Sequence, residues 1–199
     1  MGLRHRPARE HHMSRRRQTL SIIALVAALV LGLAPAASAT VPSEEQWRAD
    51  VRQAMAGGRA YLTERAADDR PGDGRLALNL DIDNSMLATE YDTGKAIAVV
   101  RRFTRHARSL GMAVLVNTAR IVDKRAHTLV ALRAAGYRID GLCMREAGVR
   151  VAAGKQRCRR EFVRDGYTLV ANVGNRETDF LGGNYERAFR LPNYDNQLT

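Results

Sequence analysis

The sequence predicts an α/β fold in which helices cover both faces of a mostly parallel sheet. Four short apolar runs alternate with segments whose apolar residues recur at helical spacing. Continuous apolar runs are typical of strands buried on both faces, and their alternation with helices is typical of parallel sheets. Polar side chains lie at or just past the ends of three of these runs, at Asp81, Thr118 and Asp179. Because such sheets bind ligands outside the carboxyl ends of their strands, we expect these residues to meet at one site.

The first 39 residues have the composition of a secretory signal. Basic residues 15–17 precede an apolar run over residues 20–33, and Ala37-Ser38-Ala39 gives the small-x-small pattern at which signal peptidases cut. We therefore expect residues 1–39 to be a signal peptide and residues 40–199 to be one exported domain, with no stable membrane anchor after cleavage. A retained anchor is the alternative, but the apolar run is shorter than the roughly 20 residues that span a bilayer.

The net charge is compatible with an anionic small molecule as partner. The chain carries a formal charge of +11, and residues 1–39 account for +5 of it, with six arginines and one glutamate. The expected mature domain therefore keeps about +6 over 160 residues. This is basic, but it is not the concentrated charge of a dedicated nucleic-acid binder, so no nucleic-acid partner is expected.

Two cysteines, Cys143 and Cys158, fall in the expected mature domain. In an exported protein an even count permits one disulfide. Two free buried thiols are the alternative, and the sequence favours neither.

The elements of the first half follow from local patterns. Ser43-Glu44-Glu45-Gln46 has the form of a capping box, which predicts a helix from there to about Ala56. The turn-rich residues 68–75 lead into the first strand, LALNLDID. Residues 95–111 then have apolar side chains at helical spacing and end at a glycine, which predicts a helix.

The second half repeats the alternation of strand and helix. The predicted elements are a strand in MAVLVNTAR ending in Thr118, a helix over Lys124–Ala135, a strand in IDGLCM, a helix over Gly154–Asp165 and a strand in YTLVANVGN. One helix accounts for most of the span between Asp83 and Thr118, so we expect little or no cap domain over the site.

Asp81 and Asp83 stand two positions apart at the end of a buried strand. Carboxylates this close repel each other and resist burial, and a bound divalent cation removes that conflict. One aspartate can then attack a substrate through an aspartyl-phosphate, while its neighbour transfers protons. Taken alone, the pair is more typical of two solvated turn acids.

Four motifs in order at the strand ends resemble those of the haloacid dehalogenase-like (HAD) hydrolases. DIDNS resembles the first motif of the family's phosphatases, DxDx(T/S), and VLVNTAR resembles the second, a strand that ends in Thr or Ser. GKQRCRREFVRDGY supplies the lysine of the third motif, Lys155, and ANVGNRETDFLGG resembles the fourth. The ending RAFRLPNYD resembles the acid phosphatase branch, subfamily IIIB, which includes secreted bacterial acid phosphatases and plant vegetative storage proteins. The resemblance covers roughly residues 43–196.

This resemblance implies a Rossmann-like fold with a minimal cap and a magnesium-dependent acid phosphatase that acts on small phosphomonoesters. Asp81 would be the nucleophile and a magnesium ligand. Asp83 would act first as acid and then as base, and would give its backbone carbonyl to the metal. Thr118 and Arg120 would bind the substrate phosphate, and Lys155 would offset the charge on that phosphate and on the nucleophile.

The fourth motif departs from the family at Asn175, where an aspartate usually binds magnesium directly. Asparagine still offers a carbonyl oxygen, but the lost charge predicts weaker magnesium binding. Asp179, four residues later, would ligate the metal directly or through water. Two alternatives therefore stay open beside an acid phosphatase: a nucleotide-specific phosphatase, and a catalytically weak phosphate-binding or storage-type relative.

Overall fold

Five parallel strands form a sheet in the computed structural model of the chain, which describes Gly2, residues 41–68 and residues 70–198. The strands are β1 (Arg75–Leu80), β2 (Ala113–Ile121), β3 (Gly141–Arg145), β4 (Tyr167–Gly174) and β5 (Arg187–Arg190). Their order across the sheet is β3-β2-β1-β4-β5, so β1 is central. All four pairings between these strands are parallel, which confirms the predicted α/β fold.

The helices and strands of the described residues lie in the unit Thr40–Thr199. The expected signal peptide, residues 1–39, falls outside the described residues apart from Gly2. Among the helices that are described, none combines the length and the apolar character needed to cross a membrane.

Five α-helices accompany the sheet: α1 (Glu44–Ala54), α2 (Gly58–Ala67), α3 (Ala98–Ser109), α4 (Arg125–Ala134) and α5 (Val151–Arg164). The start of α1 follows the prediction, because the Ser43 hydroxyl accepts a hydrogen bond from the amide of Gln46 at 3.2 Å. By contrast, α5 begins before the predicted Gly154. That glycine lies inside the helix, and the side chain of Arg145 packs so close to it that an added Cβ would come within 3.1 Å.

Helices cover both faces of the sheet, as predicted. The larger apolar cluster includes strand residues Leu78, Leu80, Val114 and Val116 together with Val100 and Phe103 of α3. The alternate strand residues form a smaller cluster with α5, which contains Ala77, Ala113, Leu115, Leu169 and Phe162. Since successive side chains of a strand point to opposite faces, the two clusters lie on the two sides of the sheet.

The edge strand β5 was not predicted. Its four residues include two exposed arginines and one buried apolar side chain, Phe189, which is 2% exposed. Hydrogen bonding to β4 therefore defines this strand. The second strand, β2, also extends past the predicted end at Thr118 to Ile121, and its register with β3 shifts between those two residues.

The connection between Asp83 and α3 folds onto the main core. Met86 and Leu87 are buried there, and Ile97 donates its amide to the carbonyl of Met86 at 2.9 Å. With α3 occupying the rest of the span before β2, this connection agrees with the predicted minimal cap.

Candidate active site

Three strand ends converge on a small pocket of about 70 Å³. Asp81 follows the central strand β1 directly, and its amide donates to the carbonyl of Val173 in β4 at 2.9 Å. Of the residues predicted from the sequence, those that line the pocket are Asp81, Asp83, Lys155, Asn175 and Asp179. The parallel topology therefore brings together side chains that lie up to 98 positions apart in the chain.

Lys155 lies between two buried carboxylates. Its ammonium donates to Asp81 Oδ1 at 2.5 Å, to a carboxylate oxygen of Asp179, and to the backbone carbonyl of Asn117 at 3.1 Å. The side chains of Lys155, Asp81 and Asp179 are 3%, 9% and 4% exposed. Such a buried group of charges is stable only as a unit, because removal of the lysine would leave two carboxylates without a cation.

The pKa values of this cluster reflect burial and the neighbouring charges. Burial raises the pKa of Asp81 to about 6, with Lys155 opposing and Asp179 adding to the shift. For Lys155, burial by itself lowers the pKa, but the carboxylates of Asp81 and Asp179 outweigh burial and raise it above its ordinary value. The lysine is therefore a permanent positive charge beside the predicted nucleophile.

Asp83 is held by Arg120 at the mouth of the site. The guanidinium donates from Nε to Asp83 Oδ2 at 2.9 Å and from Nη2 to Oδ1 at 2.6 Å, and the Thr89 hydroxyl donates to Oδ1 at 2.8 Å. Burial raises the pKa of Asp83, but the hydrogen bonds and charge of Arg120 outweigh burial and lower it below the usual range. In this arrangement Asp83 is ionised and oriented.

Thr118 lies behind the pocket wall. It is 1% exposed, and its hydroxyl accepts a hydrogen bond from the amide of Arg120 at 3.1 Å. Its neighbour Ala119 lines the pocket. The structure thus places Thr118 beside the site and pairs the guanidinium of Arg120 with Asp83, so phosphate binding by these two residues stays a prediction.

Asn175 and Asp81, the predicted nucleophile, lie on either side of Ser85. The Ser85 hydroxyl lies 3.2 Å from Asp81 Oδ2 and 3.5 Å from Asn175 Oδ1. The amide nitrogen of Asn175 is buried without a hydrogen-bond partner among the described residues. The two side-chain oxygens therefore lie beside the same hydroxyl. Hard oxygen atoms of this kind are the ligands that magnesium prefers.

Helix α5 is fixed to the sheet on both sides of the site. The side-chain amide of Asn117 in β2 donates to the backbone carbonyl of Lys155 at 2.9 Å, and the Lys155 ammonium donates to the backbone carbonyl of Asn117. One turn further along α5, Cys158 forms a disulfide with Cys143 of β3. Of the two alternatives that the sequence left open, the structure shows the disulfide and not two free thiols.

Three residues of the site, Ser85, Asn117 and Arg176, were not predicted from the sequence. Ser85 could have been found because it is the last residue of the DIDNS motif. Asn117 lies in the strand VLVNTAR, but the sequence around a buried asparagine does not show which residue it will contact. Arg176 lines the pocket and donates its amide to Asp179 Oδ2 at 2.9 Å, a local helix-capping contact that an arginine at the first position does not signal.

The chain is similar to known acid phosphatases and to two plant glycoproteins. Residues 89–197 match the family described as HAD superfamily, subfamily IIIB (Acid phosphatase). The stem 28 kDa and stem 31 kDa glycoproteins of Glycine max are each 30% identical to it over alignments of 120 residues that cover 55% of this chain. The chain covers 47% and 41% of those proteins, less than half of their length.

A solved structure has the same fold. The crystal structure of a class C acid phosphatase from Bacillus anthracis with tungstate bound matches with a TM-score of 0.62 and 17% identity, over 76% of this chain and 80% of that chain. At this identity the likeness shows the fold alone. The family match begins at Thr89, after Asp81 and Asp83, but it includes the other predicted site residues and spans more than half of the chain. The chain therefore belongs to subfamily IIIB of the HAD superfamily, the acid phosphatases.

Proposed function

We propose that this protein is an exported, magnesium-dependent phosphomonoesterase that acts through an aspartyl-phosphate on Asp81. The observation that carries the proposal is the buried cluster of Asp81, Lys155 and Asp179, which stands at the carboxyl edge of the sheet in a member of an acid phosphatase family. Its substrates would be small phosphomonoesters, because the pocket is small and open beneath a minimal cap.

In the first proposed step, the carboxylate of Asp81 attacks the phosphorus atom of the ester. The ester oxygen leaves with a proton from Asp83, and an aspartyl-phosphate remains. In the second step, Asp83 takes a proton from a water molecule, the resulting hydroxide attacks the phosphorus, and inorganic phosphate leaves. Asp81 is then a free carboxylate again, so the cycle closes.

Charge neutralisation is the main contribution of the other side chains. Lys155 holds one oxygen of Asp81 and can share its charge with the equatorial phosphoryl oxygens. Fixed positive groups of this kind stabilise a phosphoryl-transfer transition state without reorganisation. Thr118 and Arg120, both in β2, would bind oxygens of the same phosphate.

The pair of Arg120 and Asp83 suits the second step directly, since an ionised Asp83 is a competent base. For the first step Asp83 must carry a proton. A phosphoryl group that competes for the Arg120 guanidinium would weaken the contact that lowers the pKa of Asp83. Substrate binding would therefore favour the acid form at the moment when the leaving group needs it.

The residues present fit a magnesium ion. Asp81 Oδ2 and Asn175 Oδ1 converge near Ser85, and burial together with neighbouring acids raises the pKa of Asp81, a conflict that a cation relieves. Asp81, the Asp83 carbonyl, Asn175 and Asp179 would hold the ion. When bound, magnesium would polarise the phosphoryl group and offset its charge.

Export would follow from the signal peptide expected over residues 1–39, with residues 40–199 as the mature phosphatase domain. The disulfide between Cys143 and Cys158 supports this part of the proposal, because disulfides persist in oxidising compartments outside the cytoplasm.

Asn175 favours one second candidate, a relative that binds phosphate but turns it over slowly. The asparagine supplies one negative charge fewer than the aspartate usual in the family, and magnesium affinity depends on ligand charge. The buried amide nitrogen without a partner among the described residues also marks this position as unusual.

The deciding experiment is hydrolysis of p-nitrophenyl phosphate by the mature protein, with and without magnesium. We expect magnesium-dependent turnover that falls by a factor of about 10³ or more in Asp81→Asn, because the nucleophile is lost. Asp165→Asn changes an exposed acid just before the start of β4, at the edge of the sheet opposite the site; it is the matched control and should keep full activity. Folded protein that binds inorganic phosphate but shows no turnover in mildly acidic or neutral buffer would favour the slow relative.

A further inference from the structure

Residues 191–198, called the return segment here, fold back against residues 175–179, the loop after β4, called the site loop here. At its start, the amide of Leu191 donates to the carbonyl of Gly174 at 2.8 Å. At its end, the carbonyl of Leu198 accepts a hydrogen bond from the guanidinium of Arg176. The two contacts lie one residue before and one residue after the predicted amide ligand of the metal. The segment therefore closes around the site loop.

The return segment is itself anchored in the fold. The side chain of Leu198 is 0% exposed and belongs to the main apolar core. The Tyr194 hydroxyl donates to Asp50 Oδ2 of α1 at 2.6 Å. The side-chain amide of Asn193 donates to Asn196 Oδ1 at 2.9 Å, and the same oxygen lies 3.4 Å from Arg176 Nη1. The site loop is thus connected through the segment to both the core and the first helix.

The backbone of the segment is strained at its centre. Tyr194, Asp195 and Asn196 have φ values of 47°, 54° and 65°, three consecutive residues in the left-handed region. This conformation is unfavourable for residues with a side chain, and it persists only where surrounding contacts hold it. Here it turns the chain so that Leu198 reaches the core and its carbonyl reaches Arg176.

Arg176 transmits the contact to the site. Its amide donates to Asp179 Oδ2 at 2.9 Å, and its carbonyl accepts from the Asp179 amide at 2.9 Å. Asp179 in turn accepts from Lys155, which also holds Asp81. A continuous chain of hydrogen bonds therefore runs from the return segment to the predicted nucleophile.

We propose that the return segment is a positioning device for the catalytic site, with Arg176 as the positioning residue that links the two. The segment keeps Asn175 and Asp179 in place, and through Asp179 it orients Lys155. The catalytic consequence rests on the proposed phosphatase function, whereas the structural consequence can be measured without any turnover.

The first arm measures amide hydrogen exchange in the purified protein. In Arg176→Met, we expect the amides of Arg176 (now Met) and Asp179 to exchange about tenfold faster or more, because their loop loses its tie to the segment. Arg190→Met is the matched control: Arg190 contacts the same loop, through Glu177 at 2.8 Å, and no hydrogen bond joins it to the described return segment. This control should leave both exchange rates within about twofold of the original protein, since its exposed ion pair contributes little and methionine can still cover the Phe180 ring on which the Arg190 guanidinium lies at 4.0 Å.

The second arm tests coupling between the segment and the arginine. A protein that ends after Pro192 loses the anchored part of the segment, and it is combined with Arg176→Met. If the segment acts through Arg176, the double variant should match the more affected single variant rather than show the product of both effects. With p-nitrophenyl phosphate, kcat should fall by about tenfold to a hundredfold with a smaller change in KM, because alignment rather than substrate contact is lost. Arg176→Lys, which keeps one donor, should recover part of that loss.

The outcomes separate the two proposals. Unchanged exchange at positions 176 and 179 in folded Arg176→Met, or effects that multiply in the double variant, would overturn the positioning role. Absence of turnover in the unaltered protein would contradict the proposed function and leave the exchange arm to decide the positioning role alone. If the shortened protein does not fold, Arg176→Met and Arg176→Lys carry the same exchange test.

Discussion

Arg120 holds both carboxylate oxygens of Asp83, through Nε at 2.9 Å and Nη2 at 2.6 Å. The pair joins the end of β2 to Asp83, two positions after the proposed nucleophile Asp81. It therefore links the proposed phosphate-binding strand to the proposed acid and base, and the ionisation of Asp83 depends on it.

Replacement of Arg120 by methionine should raise the pKa of Asp83, because burial then acts without the opposing charge. In the original protein, the lowered pKa of Asp83 stabilises the fold at pH values above about 4, the pKa of aspartate in the unfolded chain. This stabilisation is lost as the pH falls through the lower pKa that Asp83 has in the folded protein. The variant should be less stable by about 1–2 kcal/mol at neutral pH, a small value because Arg120 and Asp83 are partly exposed to solvent. At about pH 3 the loss should be smaller. Urea unfolding at the two pH values measures the difference.

Arg120→Lys is the control for this prediction, because it keeps the charge and loses the two-pronged geometry. It should retain part of the stability difference between the two pH values. An equal loss of stability at both pH values in Arg120→Met would show that the arginine contributes through packing and not through the ionised carboxylate.

Replacement of Lys155 by methionine should leave Asp81 and Asp179 buried without their cation. We expect a loss of about 3–5 kcal/mol at about pH 8, together with loss of turnover. The pKa of Asp81 should rise above its present value of about 6. A raised carboxyl pKa destabilises the folded state as the pH increases through that pKa. The loss of stability relative to the original protein should therefore be smaller at about pH 5 than at about pH 8.

Urea unfolding at those two pH values, beside Lys124→Met as a control, tests the Lys155 prediction. Lys124 is exposed, so its replacement should change stability by less than about 0.5 kcal/mol. A Lys155→Met protein that is equally destabilised at both pH values would argue against uncompensated carboxylates as the cause.

Replacement of Asn175 by aspartate should strengthen magnesium binding by about tenfold, because the site gains a negative charge. The buried amide nitrogen that lacks a partner among the described residues is removed at the same time. Without metal, the extra carboxylate beside Asp81 should lower the melting temperature, and magnesium should raise it by more than in the original protein.

Magnesium titrations followed by calorimetry and by thermal unfolding check the Asn175 prediction. Asn184→Asp adds the same charge at an exposed position and should leave both measurements unchanged. Equal magnesium affinity in Asn175→Asp and the original protein would place the ion elsewhere than beside residue 175.

The disulfide should stabilise the fold and the position of Lys155. It closes a sequence separation of 15 residues, for which the loss of unfolded-state entropy corresponds to about 3 kcal/mol. A double Cys143→Ala, Cys158→Ala variant should lose about that much stability and part of its activity, since Cys158 lies one turn from Lys155 on α5. A reductant should lower the stability of the original protein and have no effect on the double variant; equal effects on both would contradict the prediction.

The fold class and most elements could be predicted from the sequence because they depend on local patterns. Buried parallel strands are continuous apolar runs, and their helices show apolar residues at helical spacing, as in β1 and α3. The same local reasoning fails at β5, where one buried phenylalanine among exposed residues is too weak a signal, and pairing with β4 decides the structure. It also places the start of α5 three residues too late, because Gly154 makes room for the side chain of Arg145 and does not mark a helix end.

The sequence by itself predicted that Asp81, Thr118 and Asp179 lie near one edge of the sheet, since each follows or closes an apolar run and parallel strands end at the same edge. In the structure Asp81 directly follows β1, Thr118 lies three residues before the end of β2, and Asp179 lies five residues past the end of β4. Only the tertiary structure decided what these side chains contact. It placed Lys155 between two carboxylates, turned Arg120 toward Asp83, joined the two cysteines and brought the return segment to Arg176. These contacts join residues 15 to 74 positions apart, and no local pattern encodes them because they form only when separate elements pack together.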